Sequence, residues 1–158
     1  MAKNFLEVVR LIAREDPRYE PGAYFFVREG LDFTLRRRET SKRPGVAVPR
    51  HVDGGQLCLG IRDYAIEQYG PMAYTLLREW GLRATIDFGH IVFNLIEYEV
   101  FAKNETDSIE DFMEIYSFQE AFQKPFLPRA TRRFNQRDGL RLTSKTPSPT
   151  PGTDDPLS

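Results

Sequence analysis

Cysteine and histidine are scarce in this sequence of 158 residues, which contains one Cys and two His. A single cysteine excludes a disulfide within the chain. Cys58, His51 and His90 form no C-x-x-C pair and no H-E-x-x-H motif, so the sequence predicts no metal site. Phosphate-binding glycine loops and a G-x-S-x-G nucleophile motif are absent as well. These absences predict a protein that is not an enzyme and has no cofactor.

Long apolar runs are also missing. Charged residues interrupt the apolar residues near the N-terminus, and the sequence therefore shows no signal peptide. No run approaches the ~18 apolar residues of a membrane span, so we expect no membrane partner. A free cysteine is typical of a reducing compartment, and we therefore expect a cytoplasmic protein.

The net charge is small, because 22 Lys and Arg residues oppose 23 Asp and Glu residues. This balance excludes a globally basic protein that coats nucleic acid. The charges are nevertheless segregated along the chain: residues 28–50 and 124–145 are basic, whereas residues 97–120 are acidic. Eight acids stand against the single base Lys103 in the acidic stretch. A solvated face is our interpretation of that stretch, since no carboxylate spacing indicates acid–base chemistry.

Apolar residues recur every three or four positions over much of residues 1–122, which is typical of amphipathic helices. Proline at position 17 ends the first helix, and Pro21 suits the first turn of the second. Gly30 lies within the second helix, where we expect it to permit close approach of another helix. The pattern predicts a mainly α fold with five helices: 3–16, 21–38, 53–69, a short helix before Gly81, and a longer one from Thr85.

Composition divides the chain into three parts. Residues 1–122 are predicted to form a single helical domain. Residues 123–142 are rich in arginine, weakly patterned and expected to be weakly ordered. Residues 143–158 are rich in proline, serine and threonine, and they bury too little apolar surface to offset the entropy of ordering. We therefore predict a disordered C-terminal tail.

The short helix, the turn 82–84 and the helix from Thr85 follow in the order of a helix-turn-helix. We expect Thr85 to cap the second helix, and Met72, Leu76 and Trp80 to face the core from the first. A polar turn at 104–108 separates two apolar stretches, which favours a short β-hairpin; a loop and another helix are the alternative. The sequence therefore predicts a winged-helix-like centre.

A family resemblance is carried by four stretches: PGAYFFVREGLDFT, RHVDGGQLCLGIRDYAIEQYGPMA, LREWGLRATIDFGHIVFNLIE and DSIEDFMEIYSFQEAF. They resemble an uncharacterised family of small proteins found mostly in planctomycete and verrucomicrobial bacteria. The resemblance covers about residues 5–122 and implies a bacterial cytoplasmic protein with one small domain. It implies no catalytic or binding residue, because the family has no known activity.

The helix from Thr85 carries a second, partly apolar stripe beside its core face. Its members are Ile86, His90, Phe93 and Glu97. An extra apolar face is typical of a surface that contacts another protein, and these residues are the predicted partner surface. Packing of the stripe against the first or second helix is the alternative interpretation.

Two arginine clusters are candidate phosphate contacts: Arg36, Arg37 and Arg38, and then Arg132, Arg133 and Arg137. Arginine-rich segments hold phosphates and can fold on RNA. The alternative is that the second cluster folds back on the acidic residues 97–120, or only solubilises the chain. Residues 85–101 contain no Lys or Arg, so reading of DNA by that helix is disfavoured.

These patterns predict a non-enzymatic protein-interaction module with an unknown protein partner. The alternative function is binding of RNA or DNA through the arginine-rich segments. A nucleophile at Cys58, paired with His51, is disfavoured because Cys58 lies on the inner stripe of its predicted helix. A buried free cysteine usually behaves as a small, unreactive apolar residue.

Overall fold

The computed structural model describes residues 4–46 and 51–128 of the chain. Within these ranges the chain forms five α-helices: α1 Phe5–Glu15, α2 Pro21–Ser41, α3 Gly54–Tyr69, α4 Ala73–Glu79 and α5 Thr85–Glu97. All five lie in one compact unit, Met1–Pro125. The predicted mainly α fold is confirmed. The predicted tail 143–158 and most of the arginine-rich segment lie outside the described residues.

Local signals in the sequence account for most helix ends. Asn4 caps α1, and Asp53 caps α3 in the same way: the Asp53 Oδ1 atom accepts from Gln56 N at 2.8 Å, while Gln56 Oε1 accepts from Asp53 N at 3.1 Å. Pro21 occupies the first turn of α2, as predicted. Gly81 follows α4 in the left-handed region, with a φ of 94°.

Helices α2 and α3 approach closely through two glycines. A Cβ atom on Gly30 would lie 2.7 Å from Ile61 Cγ1, so the predicted close approach at Gly30 is confirmed. One turn further along α2, the glycine belongs to α3 and the larger side chain to α2: a Cβ atom on Gly60 would lie 2.9 Å from Thr34 Cβ. Thr34 is buried and donates its hydroxyl to Gly30 O at 2.7 Å, which fixes its rotamer. This contact sets the separation of the two helices.

The segment after α5 packs on α3 and α5 through Phe112. A Cβ atom on Gly54 would lie 2.9 Å from the Phe112 ring, and one on Gly89 would lie 2.8 Å from it. The ring is therefore held against the backbones of both helices. Thr85 Oγ1 donates to Phe112 O at 2.6 Å and accepts from Ile115 N at 3.2 Å. The expectation that Thr85 caps α5 is wrong: Ala84 is the N-cap residue, and the buried Thr85 hydroxyl bonds the later segment.

The predicted β-hairpin is not confirmed. Residues 98–116 form a loop and the 3₁₀ helix Ile109–Phe112, which is the alternative of a loop and another helix. The described part of the chain contains no strand, so a winged-helix-like centre is not confirmed either. The helix-turn-helix order of α4 and α5 remains.

The predicted inner face of α4 is displaced by one residue. Ala73 and Leu77 are fully buried, whereas Met72 is 62% exposed, and Leu76 and Trp80 are half-buried. The residues Gly70–Met72 form a 3₁₀ helix before α4. A 3₁₀ helix has three residues per turn, whereas an α-helix has 3.6. The 3₁₀ turn therefore rotates the start of α4, and a different set of its side chains faces the core.

Replacing Gly60 with Ala should lower the free energy of unfolding by about 1–3 kcal/mol, because the added Cβ overpacks the contact with Thr34. Helix propensity alone would make the Ala variant more stable by up to ~1 kcal/mol. The sign of the change in unfolding free energy therefore shows whether overpacking or helix propensity dominates. Gly55→Ala in the same helix is the matched control. Its Cβ would lie 3.6 Å from the nearest atom, Asp53 Oδ1, and it should be neutral or stabilising. Urea unfolding measures the stability of both variants. A Gly60→Ala variant more stable than the wild type would contradict the close contact.

Candidate functional site

A groove of about 450 Å³ opens between α2 and α5. Its main apolar lining comes from four elements: Leu31 and Leu35 of α2, Leu57 of α3, Phe93 and Ile96 of α5, and Phe101 of the following loop. We call this feature the α2–α5 groove. Its volume lies in the range of pockets that bind ligands, ~300–1,000 Å³, and such pockets are mostly apolar with a few polar groups.

The loop after α5 closes one end of the groove. Glu99 adopts a φ of 63°, which lies in the left-handed region and is costly for a residue other than glycine. The reversal turns Val100 back, so that its backbone N–H donates to Leu95 O at 2.8 Å. Val100 and Phe101 thereby face the groove beside Phe93. No glycine marks this turn, so the sequence contained no signal for it.

Polar groups line the groove near the start of α3. His51 Nε2 lies 2.9 Å from Asp107 Oδ1, so a contact joins the residues before α3 to the loop after α5. Asp107 Oδ2 also accepts from Asn104 N at 2.8 Å. Asp111 Oδ2 accepts from Ser108 N at 3.2 Å. We call the carboxylates of Asp107 and Asp111 the acidic end of the groove.

The structure does not gather the predicted stripe into one surface. Phe93 is half-buried and lines the α2–α5 groove, whereas Ile86 lines a separate pocket with Met113. Glu97 is exposed and belongs to neither of these two pockets. His90 joins an internal polar network. Phe93 is the member of the stripe that lines the α2–α5 groove.

The network at His90 ties the α1–α2 connection to α5. Tyr19 OH donates to Asp87 Oδ1 at 2.5 Å and lies 2.9 Å from His90 Nδ1. Burial and the neighbouring Asp87 carboxylate raise the pKa of Tyr19 well above its usual range. Asp87 also accepts from the backbone of Ala84 at the start of α5, where the helix dipole favours a negative charge. His90 is thus half-buried and in contact with this network.

Asp16 belongs to the same connection. Arg18 donates to both of its oxygens, from Nη2 at 2.7 Å and from Nε at 2.8 Å, and Asn94 Nδ2 donates at 3.0 Å. The hydrogen bonds from Arg18 hold the pKa of Asp16 well below its usual range, and burial opposes this shift. The sequence contained no signal for this contact, because Asn94 lies far along the chain from Asp16.

The first arginine cluster makes contacts within the chain. Arg37 Nη1 donates to Asp63 Oδ2 at 2.8 Å, and its guanidinium lies 5.0 Å from the centre of the Phe33 ring. Arg38 donates to His51 O at 2.7 Å and to the Gln56 side chain at 2.6 Å. Arg36 is exposed. The second cluster, Arg132, Arg133 and Arg137, lies outside the described residues.

Cys58 is fully buried, as expected from its place on the inner stripe of α3. Burial raises the pKa of its thiol to about 12, so the reactive thiolate is scarce at neutral pH. Among residues 4–46 and 51–128, no group of three or more His, Cys, Asp or Glu side chains could hold a metal ion. In the same ranges, none of the helices combines the length and apolar character needed to cross a bilayer.

Comparison with protein-family models, curated proteins and solved structures finds no match to this chain. The resemblance to a planctomycete and verrucomicrobial family therefore stays a prediction.

The lowered pKa of Asp16 predicts an acid-sensitive stability. The Asp16 carboxylate contributes fully to the free energy of unfolding above its ordinary pKa of 3.8. This contribution is lost as the pH falls toward the lower pKa of the folded state. Asp16→Asn keeps an acceptor and removes the titration. Urea unfolding at about pH 6 and about pH 3 should show a smaller loss of stability for this variant than for the wild type. Equal losses would mean that the contact with Arg18 contributes nothing to acid sensitivity.

Proposed function

We propose that this protein is a non-enzymatic interaction module that holds apolar side chains of a protein partner in the α2–α5 groove. The observation that carries the proposal is the placement of Phe93. This large side chain of α5 packs against the edge of the core, remains half-buried, and lines a mostly apolar groove. Aromatic side chains in such positions supply much of the energy of protein–protein binding.

The polar groups of the groove support binding rather than nucleophilic catalysis. A catalytic triad needs a nucleophile that is hydrogen-bonded to its base. His51 contacts Asp107, but Ser108, which is the one hydroxyl among the described lining residues, donates to Glu110 instead of His51. The other nucleophile, Cys58, is buried with a raised pKa.

Nucleic-acid binding is less well supported by the described residues. Arg37 and Arg38 already donate to acceptors of the chain, and α5 carries Asp87 and Glu97 with no Lys or Arg. In a winged-helix-like arrangement α5 would enter a polyanionic groove, which these charges disfavour. We therefore propose that α5 serves as a wall of the groove, to which it contributes Phe93 and Ile96, and not as a DNA-reading helix.

Phe93→Ala should weaken binding of the partner by about 2 kcal/mol or more, roughly 30-fold, because Phe93 is the proposed anchor. The partner is first captured from nuclease-treated lysate of the source cells, and its affinity is then measured by titration calorimetry. Met72→Ala is the matched control, since it removes a side chain that is 62% exposed and outside the groove. Melting temperatures of both variants test their folding.

Two results would contradict the proposal. One is equal weakening of binding by Phe93→Ala and Met72→Ala. The other is the loss of every captured protein after nuclease treatment, which would favour the arginine-rich segments and nucleic acid.

A further inference from the structure

We infer that the occupant of the α2–α5 groove is an amphipathic helix of the partner, and that a Lys or Arg beside its apolar face lies at the acidic end. This inference rests on the proposed function, because it names the chemistry of the partner for the same groove. Three features of the described residues carry it: the sign of the charges in the lining, the acceptor capacity of the two carboxylates, and the kind of backbone that surrounds the groove.

The Asp, Glu, Lys and Arg side chains among the described lining residues are of one sign. Asp107 and Asp111 are acidic, His51 contacts Asp107, and no Lys or Arg is found among the described lining residues. The nearby Arg38 donates to His51 O and to the Gln56 side chain. The Asp107 side chain is only 16% exposed, so its charge is less screened by water than a surface charge. The complement of this lining is an apolar group with a cation next to it.

The acidic end retains capacity to accept hydrogen bonds. A carboxylate offers about four lone-pair sites. Asp107 accepts from His51 and from Asn104 N, and Asp111 accepts from Ser108 N. These bonds position the carboxylates without using all of their lone pairs. An ammonium or guanidinium group can therefore donate to them without displacing the bonds that hold the loop.

The walls of the groove favour a helical occupant over an extended one. A segment that binds as an added β-strand pairs its backbone with a sheet edge, and the described part of the chain contains no strand. The backbone N–H and C=O groups of an extended occupant would lose their water without finding hydrogen-bond partners on helices α2 and α5. A helix satisfies its own backbone and presents apolar side chains three and four residues apart. Leu31 and Leu35, four residues apart on α2, offer the same spacing in the wall.

The test uses two synthetic helical peptides with the same apolar face, one with two Lys residues beside that face and the other with two Glu residues there. The full chain should bind the Lys peptide about tenfold more tightly at low salt, and the difference should shrink as salt is added. Fluorescence anisotropy of labelled peptides measures both affinities. The salt series uses the wild type only, so it does not depend on the folding of any variant.

Charge variants test whether the acidic end causes the tighter binding of the Lys peptide. Asp107→Asn with Asp111→Asn should bring the two affinities within about twofold of each other, because the described lining residues then include no carboxylate. Glu67→Gln with Glu79→Gln is the matched control. It removes the same charge from exposed positions on α3 and α4 that do not line the groove, and it should preserve the preference.

The outcomes distinguish this inference from the proposed function. Equal binding of both peptides, with both weakened by Phe93→Ala, would overturn the cationic occupant while supporting the groove as the binding site. A preference for the Lys peptide that the control pair removes as well would also overturn the inference, because it would reflect net charge alone. Failure of both peptides to bind would overturn the inference, whereas the proposed function is tested by the captured partner.

Discussion

The close contact of α2 with α3 at Gly30 and Gly60 is the constraint on which the rest of the structure depends. Ile61 and Thr34 occupy the space that a Cβ atom on either glycine would need. Interiors are close-packed, so a methyl group added here moves a helix rather than filling a void. The position of α3 then decides where Gly54 meets Phe112, and Phe112 in turn rests on Gly89 of α5. The width of the α2–α5 groove follows from this series of backbone contacts.

The sequence predicts the structural features that depend on residues close together in one helix, such as its buried face and its cap. The core face of α5, with Phe88, Ile91 and Leu95, follows from a spacing of three and four residues, and all three side chains are fully buried. The Asp53 cap and the close approach at Gly30 are local signals of the same kind. The phase of α4 was not predictable in this way, because it depends on the 3₁₀ geometry that precedes the helix.

The groove itself depends on contacts between distant residues, and periodicity does not reveal them. The partner of the Thr85 hydroxyl is Phe112 O, which lies beyond a loop that the sequence assigned to a hairpin. Phe93 belongs to the predicted stripe, but its companions in the groove, Leu31 and Phe101, come from other elements. The acidic residues 97–120 were interpreted as a solvated face; the structure turns two of them, Asp107 and Asp111, toward the groove.

Amide chemical shifts show directly whether an apolar, cationic helix binds in the α2–α5 groove. In ¹H–¹⁵N spectra of the labelled full chain, the Lys peptide should shift the amides of Phe93, Ile96 and Phe101 together with that of Asp107. These residues are separated in sequence but share the groove, so their joint response would locate the peptide there. Shifts confined to α1 and α4, with the groove amides unchanged, would mean that the peptide binds outside the groove.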